Sequence, residues 1–228
     1  SFLYILSCFE GSLSLFWIIF ETGNVFEIIS NSIFKFFSVI NLFFVQPSMF
    51  IKNIKAVIFD FDGVFTDNFV YVDDIGTETV RCSREDSYGV SLLKNYISKS
   101  GQRIDVFVLS TEVNEVVLKR CKKMKLDCQT GEKLKDKYVA EWYSKNRPEL
   151  AEPYSGTLYF GNDLNDLEVM KKVSTSFAPA DAHPHIKEIA THVLNARGGQ
   201  GFVREGIELI LGIPAMSQGE LSEFISNS

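Results

Sequence analysis

The sequence lacks an excess of basic residues, a patterned set of cysteines and a long uncharged apolar run. Lysine and arginine number 23 against 29 aspartates and glutamates, which gives a net charge of −6. No basic block is present to neutralise phosphates, so we do not expect nucleic acid as a partner. The four cysteines form no CxxC pair and show no metal-ligand spacing, which indicates reduced thiols in a cytoplasmic protein.

The first fifty residues differ in composition from the rest of the chain. They hold 11 of the 20 phenylalanines but only four charged side chains. Their longest uncharged stretch has 16 residues, from Phe36 to Ile51, whereas a membrane-spanning helix needs about 18–20 apolar residues. The segment also lacks the basic region and the small-residue cleavage site of a signal peptide. We therefore predict that this hydrophobic leader, residues 1–48, is upstream or misannotated sequence, with a membrane-associated leader as the alternative.

The rest of the chain is predicted to contain one working domain. With 228 residues, of which 46% are hydrophobic and 23% charged, the chain can bury a substantial core. We place this domain at residues 49–213. The polar segment 214–228 is predicted to fray.

Strand-like and helix-like patterns alternate from residue 54 onward. Apolar runs predict strands at 54–59, 104–109, 126–129, 157–160, 176–178 and 192–194. Apolar residues at helical spacing predict helices at 90–97, 113–124, 139–143, 164–173, 185–190 and 203–211. Asp86 or Ser87 is the expected cap of the first helix, and a glycine turn joins a hairpin of 69–72 and 78–82. This order predicts an α/β fold, with a Rossmann-like parallel sheet, helices on both faces and a small β-hairpin flap.

Two aspartates stand at the end of the first predicted strand, in the run from Lys55 to Asp67. Residues i and i+2 of a strand share a face, so Asp60 and Asp62 are expected to point the same way. Paired carboxylates at a strand end suit a hard cation such as Mg²⁺ and can divide nucleophilic and acid/base roles. A calcium-binding loop is excluded, because Val64 occupies the position of its third ligand.

Three further segments carry polar groups that such a site needs. Ser110 and Thr111 follow the second long strand with hydroxyls, although such a pair is usually a helix cap. A basic cluster at 133–138 opens a helix, where an anion nearby would balance its charge. We interpret Lys133 and Lys135 as solvated charges. The run from Gly161 to Asp166 then repeats the first design, with a strand that ends in glycine and in carboxylate and carboxamide groups.

These motifs, in this order, resemble those of haloacid dehalogenase-type phosphatases over nearly all of residues 54–211. The resemblance implies that Asp60 is the phosphorylated nucleophile and that Asp62 is the general acid and base. It implies that Ser110 supplies the hydroxyl of the second motif and Lys137 the lysine of the third.

The same resemblance implies Mg²⁺ as cofactor, held by the two strand-end aspartates and by the fourth motif. In that motif the candidates are Asn162, Asp163 and Asp166. Many family members have aspartate where this chain has Asn162, so the direct ligand is open between Asn162 and Asp163.

The subfamily resemblance is to capless tetrameric phosphatases of 3-deoxy-octulosonate 8-phosphate and of sialic-type nonulosonate 9-phosphates. It rests on segments 80–90, 161–166, 180–184 and 198–205 and on the lack of an insertion long enough for a large cap domain. It implies a homotetramer that binds a small phosphorylated sugar acid. Candidate substrate contacts are Arg84, Thr111 and Arg204, since a guanidinium matches a carboxylate.

Two functions follow from these patterns. The first is a Mg²⁺-dependent phosphatase of a 2-keto-3-deoxy sugar acid, and Glu112 and Asn162 favour the nonulosonate substrate. The alternative is a non-catalytic oligomerisation module, because the domain also resembles the phosphatase-like domain behind some bacterial acylneuraminate cytidylyltransferases. The retention of both strand-end aspartates favours the phosphatase, since a scaffold has no use for clustered carboxylates.

Overall fold

The structure, a computed structural model, describes residues 53–150, 152 and 154–226. The predicted leader, and with it the boundary at residue 48, lies outside the described residues. Within them, no helix is both long and apolar enough to cross a membrane. The elements follow one another as β1 (Ala56–Phe59), β2 (Thr66–Val72), β3 (Glu78–Cys82), α1 (Arg84–Ser100), β4 (Asp105–Leu109), α2 (Glu115–Met124), β5 (Asp127–Gln129), α3 (Lys135–Asn146), β6 (Thr157–Phe160), α4 (Leu167–Met170), β7 (Thr175–Ala178), α5 (Pro184–Ile189), β8 (His192–Val193), α6 (Phe202–Leu211) and α7 (Gln218–Ser226).

Six of the strands form one parallel sheet in the order β5-β4-β1-β6-β7-β8. The central strand β1 pairs with β4 on one side, where Phe59 is level with Val108, and with β6 on the other, where it is level with Phe160. The residues that follow these three strands therefore meet at one edge of the sheet. The predicted α/β class is confirmed.

Alternate residues of β1 separate the hydrophobic core into two clusters, one on each face of the sheet. Val57 and Phe59 pack with residues of α1, α2 and α6. Ala56 and Ile58 pack with residues of α3, α4 and α5. Both faces are covered by helices because β1 is apolar throughout and fully buried, as strands inside parallel sheets are.

The strands β2 and β3 form a separate antiparallel hairpin between β1 and α1. Asp73 closes its turn by accepting hydrogen bonds from the backbone N–H groups of Ile75 and Thr77. No larger insertion separates the sheet strands in the described part of the chain, so the predicted small flap without a large cap domain is confirmed.

The cap of α1 differs from the prediction. Ser83 caps the helix by accepting a hydrogen bond from the N–H of Glu85 at 3.0 Å. Asp86 is fully buried and instead accepts hydrogen bonds from the backbone N–H groups of Gly201 and Arg204 at the start of α6. Asp86 thus joins two helices that are far apart in the sequence, whereas a cap interaction is local.

Two other segments also differ from the sequence-based prediction. The helix predicted at 164–173 is a 3₁₀ turn at Leu164–Asp166 followed by the short α4. The segment predicted to fray forms α7, because Ser217 and Glu220 bond each other's backbone N–H groups in a capping box and Phe224 packs against the core.

Candidate active site

A cleft of about 430 Å³ lies at the carboxyl edge of the sheet, where β4, β1 and β6 end. Its floor comes from Asp60 and Asp62 after β1 and from Asn162 and Asp163 after β6. Its wall comes from the hairpin and from the segment after β4. The polar residues that line it are Asp60, Asp62, Asn68, Glu78, Thr111, Glu112, Asn114, Asn162, Asp163 and Asn165.

The ammonium group of Lys135 joins the two most buried carboxylates of the site. Its Nζ lies 2.8 Å from Oδ1 of Asp60 and 2.7 Å from Oδ1 of Asp166, and all three side chains are buried. Burial lowers the pKa of Lys135, but the two carboxylates outweigh burial and raise that pKa overall. The lysine is therefore a fixed positive charge beneath the cleft.

The structure places Lys135, and not the predicted Lys137, at the site. The interpretation of Lys135 as a solvated charge is also wrong, because this side chain is buried. Lys135 is the first residue of α3, and Val139 and Tyr143 are buried on the same face four and eight residues later. Lys137 is about 200° further round the helix and is exposed. The sequence contained this signal, because the apolar stripe of Val139 and Tyr143 extends back by four residues to Lys135.

Asp166 is a buried acceptor and does not line the cleft. Its Oδ1 accepts hydrogen bonds from Lys135 and from the hydroxyl of Tyr159 at 2.8 Å. Its Oδ2 accepts from the backbone N–H groups of Asn162 at 2.9 Å and Asp163 at 3.3 Å. The prediction of Asp166 as a metal ligand is therefore wrong, since both of its oxygens already hold the lysine and the turn after β6.

Asp60 directly follows β1, and its surroundings partly stabilise the neutral form of its carboxyl group. Burial, and after it the charge of Asp166, raises the pKa of Asp60 to about 7, although Lys135 and the N–H of Phe61 act in the opposite direction. The Oδ1 of Asp60 already bonds Lys135 and the N–H of Phe61 at 2.7 Å. The Oδ2 of Asp60 is therefore the oxygen available to a ligand in the cleft.

Asp62 is less buried than Asp60. Burial, followed by the charge of Glu112, raises its pKa, and the hydroxyl of Thr66 at 3.5 Å acts in the opposite direction. A raised pKa favours the protonated form of the carboxyl group, which can donate its proton to a leaving oxygen.

The side chain of Asn162 carries a buried oxygen that is free to bind a ligand. Its Oδ1 is buried and has no hydrogen-bond partner among the described residues. Its amide packs directly on Gly63, where an added Cβ would lie 1.9 Å from Nδ2. Asp163 is exposed and accepts a hydrogen bond from the N–H of Leu164 at 2.7 Å.

The donor set fits a hard divalent cation. Within the described part of the chain, no group of three histidine, cysteine or acidic side chains could hold a metal. An ion at Asp60 and Asp62 would therefore take its other ligands from amide, carbonyl or water oxygens. The unpartnered Oδ1 of Asn162 is such an oxygen, and Mg²⁺ prefers all-oxygen shells.

The remaining predicted residues are placed in different ways. The hydroxyl of Ser110 is buried at the end of β4 and accepts a hydrogen bond from the N–H of Glu112, whereas Thr111 lines the cleft. Arg84 lines another cavity, between α1 and α2. Arg204 stacks on Tyr88 and pairs with Glu208 on α6. Neither arginine lines the cleft of its own chain, so their role as substrate contacts stays a prediction.

Known proteins share this sequence and fold. Residues 149–204 match the model of the haloacid dehalogenase-like hydrolases. The 3-deoxy-D-manno-octulosonate 8-phosphate phosphatase of Salmonella typhi is 32% identical over 174 residues, 75% of this chain and 85% of the relative. That of Escherichia coli K12 is 31% identical over 172 residues, with 75% and 85% covered. The chain belongs to this phosphatase family of the haloacid dehalogenase superfamily.

Solved structures of this family also resemble the phosphatase. The 3-deoxy-D-manno-octulosonate 8-phosphate phosphatase of Yersinia pestis superposes with a TM-score of 0.59 at 31% identity, covering 69% of this chain and 80% of that one. The cobalt-bound enzyme of Haemophilus influenzae gives 0.62 at 28% identity, covering 73% and 92%. The chain is therefore a phosphomonoesterase, and the cleft at the strand ends is its candidate active site.

Replacing Lys135 tests the corrected lysine. Lys135→Met should lower kcat by about 10²–10³-fold, because it removes a buried positive charge beside Asp60. It should also lower the unfolding temperature, because it leaves two buried carboxylates unpaired. Phosphate release and thermal unfolding measure the two effects. Lys137→Met makes the same change two residues away on the exposed face, and it should leave both values near wild type. Equal losses in the two variants would contradict the assignment.

Proposed function

We propose that this phosphatase hydrolyses the terminal phosphomonoester of a 2-keto-3-deoxy sugar acid through a phosphorylated Asp60. The observation that carries the proposal is the buried arrangement of Asp60, Lys135 and Asp166 beneath a cleft that also presents Asp62. The relatives act on 3-deoxy-D-manno-octulosonate 8-phosphate, which makes this sugar phosphate the first candidate substrate.

The reaction follows from the two strand-end carboxylates. Oδ2 of Asp60 attacks the phosphorus in line, and the bond between phosphorus and the sugar oxygen breaks. Asp62 gives its proton to the departing sugar oxygen. Asp62 then takes a proton from water as the water oxygen attacks the phosphorus, which releases inorganic phosphate and restores Asp60.

Lys135 and Asp166 prepare Asp60 for the attack. The lysine holds Oδ1, which leaves Oδ2 to react and fixes the plane of the carboxylate. Asp166 in turn fixes the lysine and the N–H groups that follow β6. Such preorganised charge is effective in a site with little water, because nothing has to reorient during the reaction. Ser110 and Thr111 are proposed to donate hydroxyl hydrogen bonds to phosphoryl oxygens.

A divalent cation, Mg²⁺ in the first instance, is the proposed cofactor. A phosphate adds two negative charges to the cleft, and the lining that the structure describes includes Asp60, Asp62 and Asp163 but no lysine or arginine. When bound, the ion would offset this charge on the phosphoryl oxygens. The carboxylate of Asp60, the backbone carbonyl oxygen of Asp62 and Oδ1 of Asn162 are the proposed protein ligands, which leaves the Asp62 carboxyl free for proton transfer. Asp163 is not proposed as a ligand. Its carboxylate accepts a hydrogen bond from the N–H of Leu164 and so stabilises the turn after β6.

A nine-carbon nonulosonate 9-phosphate is the second candidate substrate. Glu112 lines the cleft on the side of the hairpin, near Glu78 and Asn114. A carboxylate there can accept hydrogen bonds from sugar hydroxyl or N-acyl groups but would repel a sugar carboxylate. Glu112 therefore favours a substrate whose hydroxyl-bearing chain lies beside it, with the sugar carboxylate nearer the mouth of the cleft.

We also propose that the enzyme is a homotetramer. The hairpin exposes a group of large apolar side chains, namely Phe69, Val70, Tyr71, Val72 and Ile75, which are 53–84% accessible in the single chain. A cluster of this kind is typical of a protein interface. Copies of the chain that pack through their hairpins would cover it and narrow the mouth of the cleft.

Turnover on a panel of phosphates tests the function. The 8-phosphate of 3-deoxy-D-manno-octulosonate and the 9-phosphate of a nonulosonate should be hydrolysed with a kcat/KM at least about 10²-fold above that of glucose 6-phosphate. Asp60→Asn should abolish phosphate release while the protein still folds, because the nucleophile is lost but the side-chain volume and the pairing of Lys135 with Asp166 are kept. A folded wild-type enzyme that releases no phosphate from any substrate would support the non-catalytic oligomerisation module instead.

Metal dependence tests the proposed ligands. Activity should disappear with a chelator and return with Mg²⁺. Asn162→Ala should raise the Mg²⁺ concentration needed for half-maximal activity by about tenfold or more, because it removes a direct ligand. Asp163→Ala should raise it less, since it removes only a cap of the turn. The reverse ranking would make Asp163 the ligand, and full activity in chelator would remove the metal from the mechanism.

Substitution on the hairpin tests the assembly. Ile75→Lys combined with Phe69→Lys should reduce the mass measured by light scattering below four chains, because two buried charges oppose the interface. Val193→Lys is the control, since Val193 is an exposed apolar residue outside the hairpin. If the hairpin variant keeps the wild-type mass, the interface lies elsewhere. A wild-type mass of one chain would contradict the tetramer.

A further inference from the structure

Two adjacent glycines, Gly198 and Gly199, bring the loop between β8 and α6 into direct backbone contact with the loop that carries Asp62. A Cβ added to Gly198 would lie 2.0 Å from the carbonyl oxygen of Gly63. A Cβ added to Gly199 would lie 2.4 Å from the carbonyl carbon of Thr66. No side chain fits between the two loops, so this contact requires glycine at both positions.

The glycine loop is anchored on both sides of this contact. The N–H of Gly199 donates to the carbonyl oxygen of Val64 at 3.0 Å, which ties it to the aspartate loop. On the outer side, Oδ1 of Asp181 accepts from the N–H of Gly198 at 3.0 Å. The carboxylate of Glu205 accepts from the N–H of Ala196 at 2.7 Å. We call Gly198, Gly199 and Asp181 the glycine clamp.

The clamp contacts the aspartate loop where that loop positions Asp62. The hydroxyl oxygen of Thr66 accepts from the N–H of Gly63 at 3.1 Å and lies 3.5 Å from Oδ1 of Asp62. The same oxygen accepts from the N–H of Asn68 at 3.2 Å, at the start of the hairpin. Gly199 packs on the peptide of Thr66, so the clamp contacts the residue whose hydroxyl lies beside the Asp62 carboxylate.

We propose that the glycine clamp is a positioning device for Asp62 that holds its carboxyl group in place at the root of the hairpin. The inference rests on the proposed role of Asp62 as general acid. Asp62 is followed within a few residues by β2, whose outer part is exposed. Without a fixed point at Thr66, motion of the hairpin would reach Asp62. A displacement of about 1 Å in a reacting group can cost about 10²-fold in rate.

Leaving-group dependence separates this role from general damage to the fold. An alkyl phosphate such as 3-deoxy-D-manno-octulosonate 8-phosphate needs a proton on its leaving oxygen, whereas 4-nitrophenyl phosphate does not. The quantity to measure is kcat/KM for each substrate, because it covers only the steps up to the first phosphoryl transfer. Asp181→Ala loosens the clamp without adding an atom to the contact, and Gly199→Ala forces the two backbones apart.

Both variants should lose about 10- to 100-fold in kcat/KM on the alkyl phosphate and less than about threefold on the aryl phosphate. Gly101→Ala is the matched control for Gly199→Ala. Gly101 has φ +66° and Gly199 has φ +62°, but a Cβ on Gly101 would meet no atom within 4 Å. Gly101→Ala should therefore share the backbone strain and leave both kcat/KM values near wild type.

Asp62→Asn supplies the reference for a lost general acid. Asp62→Asn is expected to lose more kcat/KM on the alkyl phosphate than on the aryl phosphate. If it does, but the clamp variants lose kcat/KM equally on both substrates or not at all, the clamp proposal is wrong and the proposed function stands. If Asp62→Asn loses equally on both substrates, the acid role is wrong and the clamp proposal falls with it. Asp181→Ala decides the question if Gly199→Ala does not fold.

Discussion

The contact of one buried ammonium group with two buried carboxylates is the constraint on which the site depends. Asp60 follows β1, Lys135 begins α3 and Asp166 lies in the turn after β6, and all three side chains are buried. Removal of one member of a buried charge pair typically costs about 3–5 kcal/mol. Loss of this contact would therefore destabilise the fold, and the contact holds together the three segments that lie beneath the cleft.

The same constraint explains the division of labour among the acidic residues. Asp166 accepts hydrogen bonds on both oxygens and acts only through its neighbours, while Asp60 keeps one oxygen free. Asp62 has neither the lysine nor the backbone donors that serve Asp60 and Asp166. Burial and the charge of Glu112 raise its pKa, which suits proton transfer. Three aspartates in one site thus differ in role because their hydrogen-bond partners differ.

Much of this arrangement was predictable from sequence, because apolar runs that end in polar residues identify the carboxyl ends of parallel strands. Asp60, Asp62, Thr111, Asn162 and Asp163 were placed in this way, and all line the cleft. Which lysine faces the site depends on its position around α3. The sequence indicates Lys135, because it lies on the same helix face as the apolar residues Val139 and Tyr143. The capping box of α7 was likewise present in the sequence as Ser217 and Glu220.

Other features depend on contacts that no local pattern contains. Asp86 and Ser87 looked like caps, but the carboxylate of Asp86 serves a helix more than a hundred residues later. Asp166 looked like a ligand of the same kind as Asp163, and only its contacts with Lys135 and Tyr159 separate the two. The close approach of Gly198 to Gly63 is also invisible in sequence, where it appears only as two adjacent glycines.

The cleft has little positive charge of its own. Lys135 is shared by Asp60 and Asp166, so it adds little net positive charge to balance an incoming phosphate. Among the described residues, the cleft lining carries five acidic side chains and neither lysine nor arginine. A sugar acid brings a carboxylate in addition to its phosphate, and this second anionic group finds no cationic partner in the lining. Arg84 and Arg204, the two arginines with the expected chemistry, lie on other surfaces of the chain. The proposed cation can offset the phosphate but not a carboxylate several carbon atoms away. Under the proposed function, a positive group from beyond the described lining has to meet this carboxylate. The proposed tetramer, whose hairpins would meet at the cleft mouth, is one assembly that would bring such a group there.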